Sequence, residues 1–209
     1  MPPAPSIEEC GVSVPGLREA QRLKTRARLF DAAVAEIGRS GLADADISSI
    51  VRAAGVARGT FYFHFPTKEH VLVDLERAEE AKIVAKLNTA TVPRDDMASV
   101  LTLVVRQILA AERRLGPVLF RDMLGLHFSS TRPVGAQLGE HPLAGFVIAV
   151  IAEAQDSGRV PPDADPGQLG VIFMTGLFAL LATSGPASRA RTALLERYVV
   201  TIVDGMETR

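Results

Sequence analysis

The chain has 209 residues, 47% of them hydrophobic and 22% charged, with a formal net charge of −1; this is the balance of a folded soluble protein and excludes a wholly disordered one. A single cysteine, Cys10, excludes an internal disulfide and the usual cysteine-based zinc clusters. The first 16 residues lack the basic start and apolar run of a signal peptide, and the longest apolar segment, 169–182, is shorter than the roughly 20 residues of a membrane span. A cytoplasmic protein with no membrane partner is therefore expected.

Residues 1–16 contain four prolines and two glycines and read as a flexible arm. From 17 to 40, Phe30, Ala33, Val34 and Ile37 recur at helical spacing, and Gly41 is placed to close that helix. A short helix begins after Asp46, a good N-cap, buries Ile47, Ile50, Val51 and Ala54 on one stripe, and ends at Gly55. A third, over about 57–65, stops at Pro66, which lacks a backbone donor. Thr67 can cap a long helix over 68–88. Further helices are predicted over 95–114, 117–128, 142–156, 166–183 and 188–206, with Asp165-Pro166 as cap and first-turn proline and Ser184-Gly185-Pro186 separating the last two. The fold class is all-α, about nine helices.

Two short helices joined by a glycine-containing turn form a helix-turn-helix, whose second helix can enter the DNA major groove. Packing Phe61 and Phe65 inward against Ile47, Ile50 and Val51 turns Gly59, Thr60, Phe63 and His64 outward, with Tyr62 at the flank. That face suits DNA. Gly59 lets backbone approach a phosphate, Thr60, Tyr62 and His64 offer hydrogen bonds, and Phe63 can touch a thymine methyl. Lys68 adds a charge for the phosphate backbone. Upstream, Arg18, Arg22, Lys24, Arg26 and Arg28 fall within eleven residues, and Arg22, Lys24 and Arg26 are expected to supply nonspecific attraction to DNA.

The runs Ile50-Val51-Arg52-Ala53-Ala54-Gly55-Val56 and Gly59-Thr60-Phe61-Tyr62-Phe63-His64-Phe65-Pro66-Thr67-Lys68-Glu69 resemble the tetracycline-repressor (TetR) family of bacterial transcription regulators, specifically over about 30–75. The resemblance implies a homodimer that represses transcription at a palindromic duplex operator and leaves it when a small-molecule effector binds the C-terminal domain. It also implies that Thr60, Tyr62, Phe63, His64 and Lys68 contact DNA, with Arg58 and Gly59 at the helix start. Two positions depart from the family pattern: Ala57, where serine or threonine is usual, gives up a cap, and Asp46 stands where threonine often faces a phosphate. The expected organisation is an arm over 1–16, a DNA-binding domain over 17–67, and an effector-binding and dimerisation domain over 68–209. The 68–88 helix is the expected transmission element.

For the effector, Arg121, His127 and Thr175 are candidate polar contacts and Met123, Phe146, Phe173 and Phe178 candidate apolar lining; the few charges in this region favour an apolar or weakly acidic molecule. Leu169, Ile172, Phe173, Gly176, Leu177 and Leu180 form one apolar stripe, and Leu195, Tyr198, Val199, Ile202 and Met206 another. Paired about a two-fold axis they make a four-helix dimer interface, with Gly170 and Gly176 permitting close approach. The pairs Glu79–Glu80 and Arg113–Arg114 read as solvated faces, and His127 and His141 as surface or pocket groups rather than ligands. No cofactor or metal is expected, and no enzyme signature is present. The alternatives are a dimeric small-molecule sensor or carrier of the same fold that no longer binds DNA and, third, a helical-bundle enzyme.

Overall fold

The computed structural model describes residues 15–93, 95–133, 141–185 and 188–207. These form nine α-helices and no strand: α1 (Pro15–Ser40), α2 (Ile47–Ala54), α3 (Arg58–His64), α4 (Lys68–Asn88), α5 (Met97–Leu115), α6 (Pro117–His127), α7 (Pro142–Asp156), α8 (Pro166–Thr183) and α9 (Arg189–Met206). Of the arm expected over 1–16, Pro15 and Gly16 already belong to α1; the rest, with Cys10, lies outside the described residues, as does Pro186.

Local signals set most boundaries. Gly41 and Gly55 adopt φ of 84° and 66°, the left-handed region that favours glycine, and close α1 and α2. Asp46 accepts hydrogen bonds from the Ser48 and Ser49 amides at 3.0 Å, capping α2. Asp165 and Ser188 cap α8 and α9 in the same way. Thr67 does not cap α4 with its side chain: its hydroxyl bonds the His70 ring instead, at 3.0 Å.

Two cores result. Leu29, Ala33 and Ile37 of α1, Ile50, Val51 and Ala54 of α2, and Phe61 and Phe65 from the α3 segment pack with Val71–Leu75 of α4 and with Leu119 and Leu126 of α6. The larger core is built from α4 through α9, from Ile83 to Met206. Both α4 and α6 serve both cores, because α4 turns one end toward α1–α3 and the other into the bundle, while α6 turns one face each way.

The C-terminal stripes are placed differently from expectation. Phe173, Leu177, Leu195, Val199 and Met206 are buried within the single chain, and Leu169, Leu180, Tyr198 and Ile202 pack partly against the same core. Only Ile172 of that set is openly exposed, at 56%. The bulkiest apolar stripe of each helix is used to close its own bundle. The small residues follow suit: a Cβ on Gly170 would lie 2.5 Å from Ile148 and one on Gly176 2.4 Å from the Tyr198 hydroxyl, so both glycines make room for intrachain neighbours. α8 is long and apolar enough to cross a membrane by composition, but Phe173, Met174, Leu177, Phe178 and Leu181 build one face of it into the core.

Candidate nucleic-acid interface and effector cavity

On α3, Phe61 is fully buried and Phe65, just past its end, is 1% exposed, whereas Tyr62 and Phe63 stand 46% and 72% exposed. Phe63 is thus a large aromatic ring held in water, which burial alone would not choose. Gly59 and Arg58 are exposed beside it, and Thr60 and His64 are half-buried. A Cβ on Gly59 would meet nothing within 4 Å, so the space this glycine keeps open is outside the chain. The α3 N-terminus carries no side-chain cap, as Ala57 predicts; Arg58 reaches back to the Ser48 hydroxyl at 3.1 Å. Asp46 is turned into the α2 N-terminus, where those amides hold its carboxyl below the ordinary aspartate value.

The basic residues divide by role. Residues 16–24 of α1 are exposed all round, and Lys24 is open to solvent. Arg22 bonds Glu19 one turn away, at 2.6 Å. Arg26 is committed inward: it pairs with Asp74 on α4 and lies over the Phe65 ring at 4.6 Å. Lys68 is likewise structural, donating to the Ala43 and Ala45 carbonyls at 3.0 and 2.9 Å and clamping the α1–α2 turn. A phosphate role for these two competes with bonds they already make. Partial burial, with the charges of Arg22 and Arg26, lowers the His64 pKa, so at neutral pH it meets a partner as a neutral ring.

Between α4, α5, α6, α7 and α8 lies a cavity of about 30 Å³, walled by Ile83, Ile108, Phe120, Met123, Leu143 and Phe178, with Glu76, Glu79 and Glu80 along one side. Of the residues expected there, Met123 and Phe178 line it; Phe173 and Phe146 are buried nearby in the core. Arg121 and Thr175 are on the surface. Arg121 borders an outer groove with Lys68 and Asp122, because its position on α6 faces away from the bundle. The His127 ring lies 4.5 Å from that of Phe178, centroid to centroid and tilted by 40°, and against Glu76.

The family model described as bacterial regulatory proteins, tetR family, matches residues 29–75. The HTH-type transcriptional regulator TtgW of Pseudomonas putida is 33% identical over 98 residues, covering 38% of this chain and 73% of that protein. The chain belongs to the TetR family. Among other TetR-type relatives, the HTH-type transcriptional repressor KstR of Mycobacterium tuberculosis is 32% identical over 145 residues, 69% of this chain and 64% of that one. Matched segments span as little as 46% of a curated relative's length. The same fold is seen in Thermus thermophilus FadR, a TetR-family repressor in complex with lauroyl-CoA, at TM-score 0.67 and 22% identity over 88% of this chain and 96% of that one.

Within this TetR-family chain the acidic pair on α4 is the feature that sequence reasoning missed. Glu76, Glu79 and Glu80 are 3–5% exposed, not solvated. Glu79 pairs with Lys82 at 2.7 Å and with Arg114 at 2.6 Å. Burial would push the Glu76 carboxyl up, but the His127 ring against it, with Arg132 and His141 beside it, prevails and holds it below the usual value. The one available signal was spacing, since Glu76 and Glu80 are i and i+4 on one face.

Proposed function

We propose that this chain is a ligand-responsive repressor that binds a palindromic duplex operator as a dimer, through α3 and the exposed basic start of α1. The observation that carries the reading is Phe63, 72% exposed beside Tyr62 and open Gly59 on the second helix of the motif. These residues, with Thr60, His64 and Arg58, would make the groove and phosphate contacts; Lys24 and Arg22 add attraction along the backbone. Residues up to Leu75, joined by Leu119 and Leu126 of α6, form the reading unit's core, and the remainder the effector and dimerisation unit.

The effector is a small lipophilic molecule. The apolar wall supports this, as does the acyl chain of the lauroyl-CoA bound by the FadR neighbour. Ligand pockets ordinarily occupy roughly 300–1,000 Å³, so a cavity of about 30 Å³ is closed, and an effector must spread its walls. Those walls include α4 and α6, which also hold the reading unit: Leu119 and Leu126 pack into its core, and Asp122 accepts a 2.6 Å hydrogen bond from the Leu42 amide. Spreading them shifts the two recognition helices relative to each other, and DNA is released because the effector binds only the spread state tightly.

Selection from random duplexes followed by salt titration tests this. A palindrome should be enriched, with log affinity falling against log salt by about 0.9 for each phosphate contacted. A flat salt dependence and no enriched sequence would leave a sensor or carrier of the same fold instead.

A further inference from the structure

Beside the cavity, four buried titratable side chains converge from three elements. Glu76 and Glu80 project from one face of α4, His127 ends α6, and His141 precedes α7. His141 is 1% exposed and the His127 side chain 8%. An oxygen of each glutamate and a ring nitrogen of His141 all lie within 4.8 Å of one another. His141 Nδ1 is 3.1 Å from Glu80 Oε1 and 4.0 Å from Glu76 Oε1. The His127 Nε2 lies against that same Glu76 oxygen.

Packing does not explain the cluster, since each buried carboxylate costs several kcal/mol of desolvation, on the order of what good partners return. The charges do not balance either. Glu79 is matched by Lys82 and Arg114, but among the described residues Glu76 and Glu80 share one fixed cation: Arg132 Nη2 is 3.1 Å from Glu76 Oε2 and 2.9 Å from His141 Nε2. A guanidinium only donates, so His141 accepts at Nε2 and turns its Nδ1–H toward Glu80. Among the described residues the two carboxylates thus share one fixed positive charge, with the buried His127 ring nitrogen against Glu76.

We propose that Glu76, Glu80, His127 and His141 form a binding site for a single divalent transition-metal ion of the Zn(II) class. Two carboxylate oxygens and two imidazole nitrogens are a four-coordinate donor set for zinc, and the nitrogens select against Ca(II) and Mg(II). With bonds of about 2.0–2.2 Å the donors of a tetrahedral site stand about 3.4 Å apart, near the 3.1 and 4.0 Å that separate His141 from Glu80 and Glu76; His127 is placed by its contact with Glu76 alone. An ion of charge +2 neutralises both carboxylates. It also excludes Arg132. To ligate through Nδ1, His141 must shift its proton to Nε2, and an N–H there faces the guanidinium, donor against donor. Metal uptake therefore releases Arg132 from the cluster. None of this depends on DNA reading.

The untagged chain, stripped of metal, is titrated with Co(II), followed by its d–d absorption, and the Co(II) is then displaced by Zn(II). One Co(II) per chain is expected. Glu80→Gln and His141→Gln should each weaken uptake by about a hundredfold, while His70→Gln, a histidine outside the cluster, changes nothing. Arg132→Gln should tighten uptake about tenfold, the scale on which groups next to a ligand act, because its amide oxygen accepts from Nε2–H. Circular dichroism confirms folding of each variant. Absence of one-to-one uptake by the wild-type chain overturns the proposal, as does uptake unchanged in Glu80→Gln and His141→Gln. If either of these fails to fold, Arg132→Gln decides alone, and no tightening overturns it.

Discussion

Gly59 is the residue at which stability and DNA reading part company. It sits in the first turn of α3, exposed, and a Cβ there meets no atom within 4 Å, so nothing inside the chain calls for glycine. In a helix, glycine costs about 0.5–1 kcal/mol relative to alanine. Gly59→Ala should therefore leave the fold intact, raise its unfolding free energy by up to about that amount, and still weaken operator binding on the order of tenfold by holding the backbone off a phosphate. Denaturant melts and a binding titration on the same samples separate the two effects. Equal DNA affinity would mean that α3 does not approach the duplex at this turn. Gly176 is the opposite case. Its missing side chain leaves room for the Tyr198 hydroxyl, which donates to the Phe173 carbonyl at 2.7 Å. Gly176→Ala should cost about 1–3 kcal/mol as overpacking, and Tyr198→Phe in the same chain should recover part of it. Burial raises the Tyr198 pKa to about 12 from 10.0, so its contribution is complete below pH 10 and is lost as pH rises toward 12; Tyr198→Phe should flatten that alkaline limb of the melting curve.

Among the elements, α6 is the one the reading unit and the cavity share most directly. Its Phe120, Met123 and Leu124 line the cavity, while Leu119 and Leu126 enter the other core and Asp122 holds the Leu42 amide. Ala111, on α5, lines the same space. Ala111→Leu places three further carbons in a cavity of about 30 Å³, so α4 or α6 must yield, and the variant acts as a built-in effector. Operator affinity should fall by about tenfold, within the usual 1–3 kcal/mol of allosteric coupling, and adding Asp122→Ala should restore much of it. If Asp122→Ala restores nothing, the coupling runs not through this hydrogen bond but through the packing of Leu119 and Leu126 or through α4, the transmission element expected from sequence. The helices were legible in the sequence because their signals are local: Asp46 caps, Gly55 stops, and Pro66 forbids continuation. Roles fixed by distant partners were not legible in the same way. Glu79 bonds Arg114, 35 positions away, and Glu80 meets His141, 61 away, so an adjacent acidic pair read as solvated is in fact buried. Lys68 looked like a phosphate contact because nothing in the sequence shows that the Ala43 and Ala45 carbonyls reach it.

For the whole molecule, the proposed dimer needs a surface that meets a second copy. Helical periodicity reports that a stripe is apolar but not whose core it enters, and on α8 and α9 the stripes richest in Phe, Leu and Val close the chain's own bundle. What they leave outward is smaller and mixed: Val171, Ile172 and Thr175 on α8, and Leu194, Arg197 and Val200 on α9, all exposed. These positions recur at three- and four-residue spacing on one side of each helix, the geometry of an isologous four-helix contact. A dimer through them would set the recognition helices about 34–36 Å apart, one turn of DNA. The buried and exposed stripes make opposite predictions. Ile172→Glu with Val200→Lys should leave the melting midpoint of the isolated chain nearly unchanged, since both side chains already face solvent, while sedimentation shifts from dimer to monomer and palindrome binding falls by at least about a hundredfold. Leu177→Ala, inside the core, should instead cost about 2–5 kcal/mol of stability at unchanged stoichiometry wherever the chain remains folded. Sedimentation of the doubly charged variant as an intact dimer would show that the chains meet through another face.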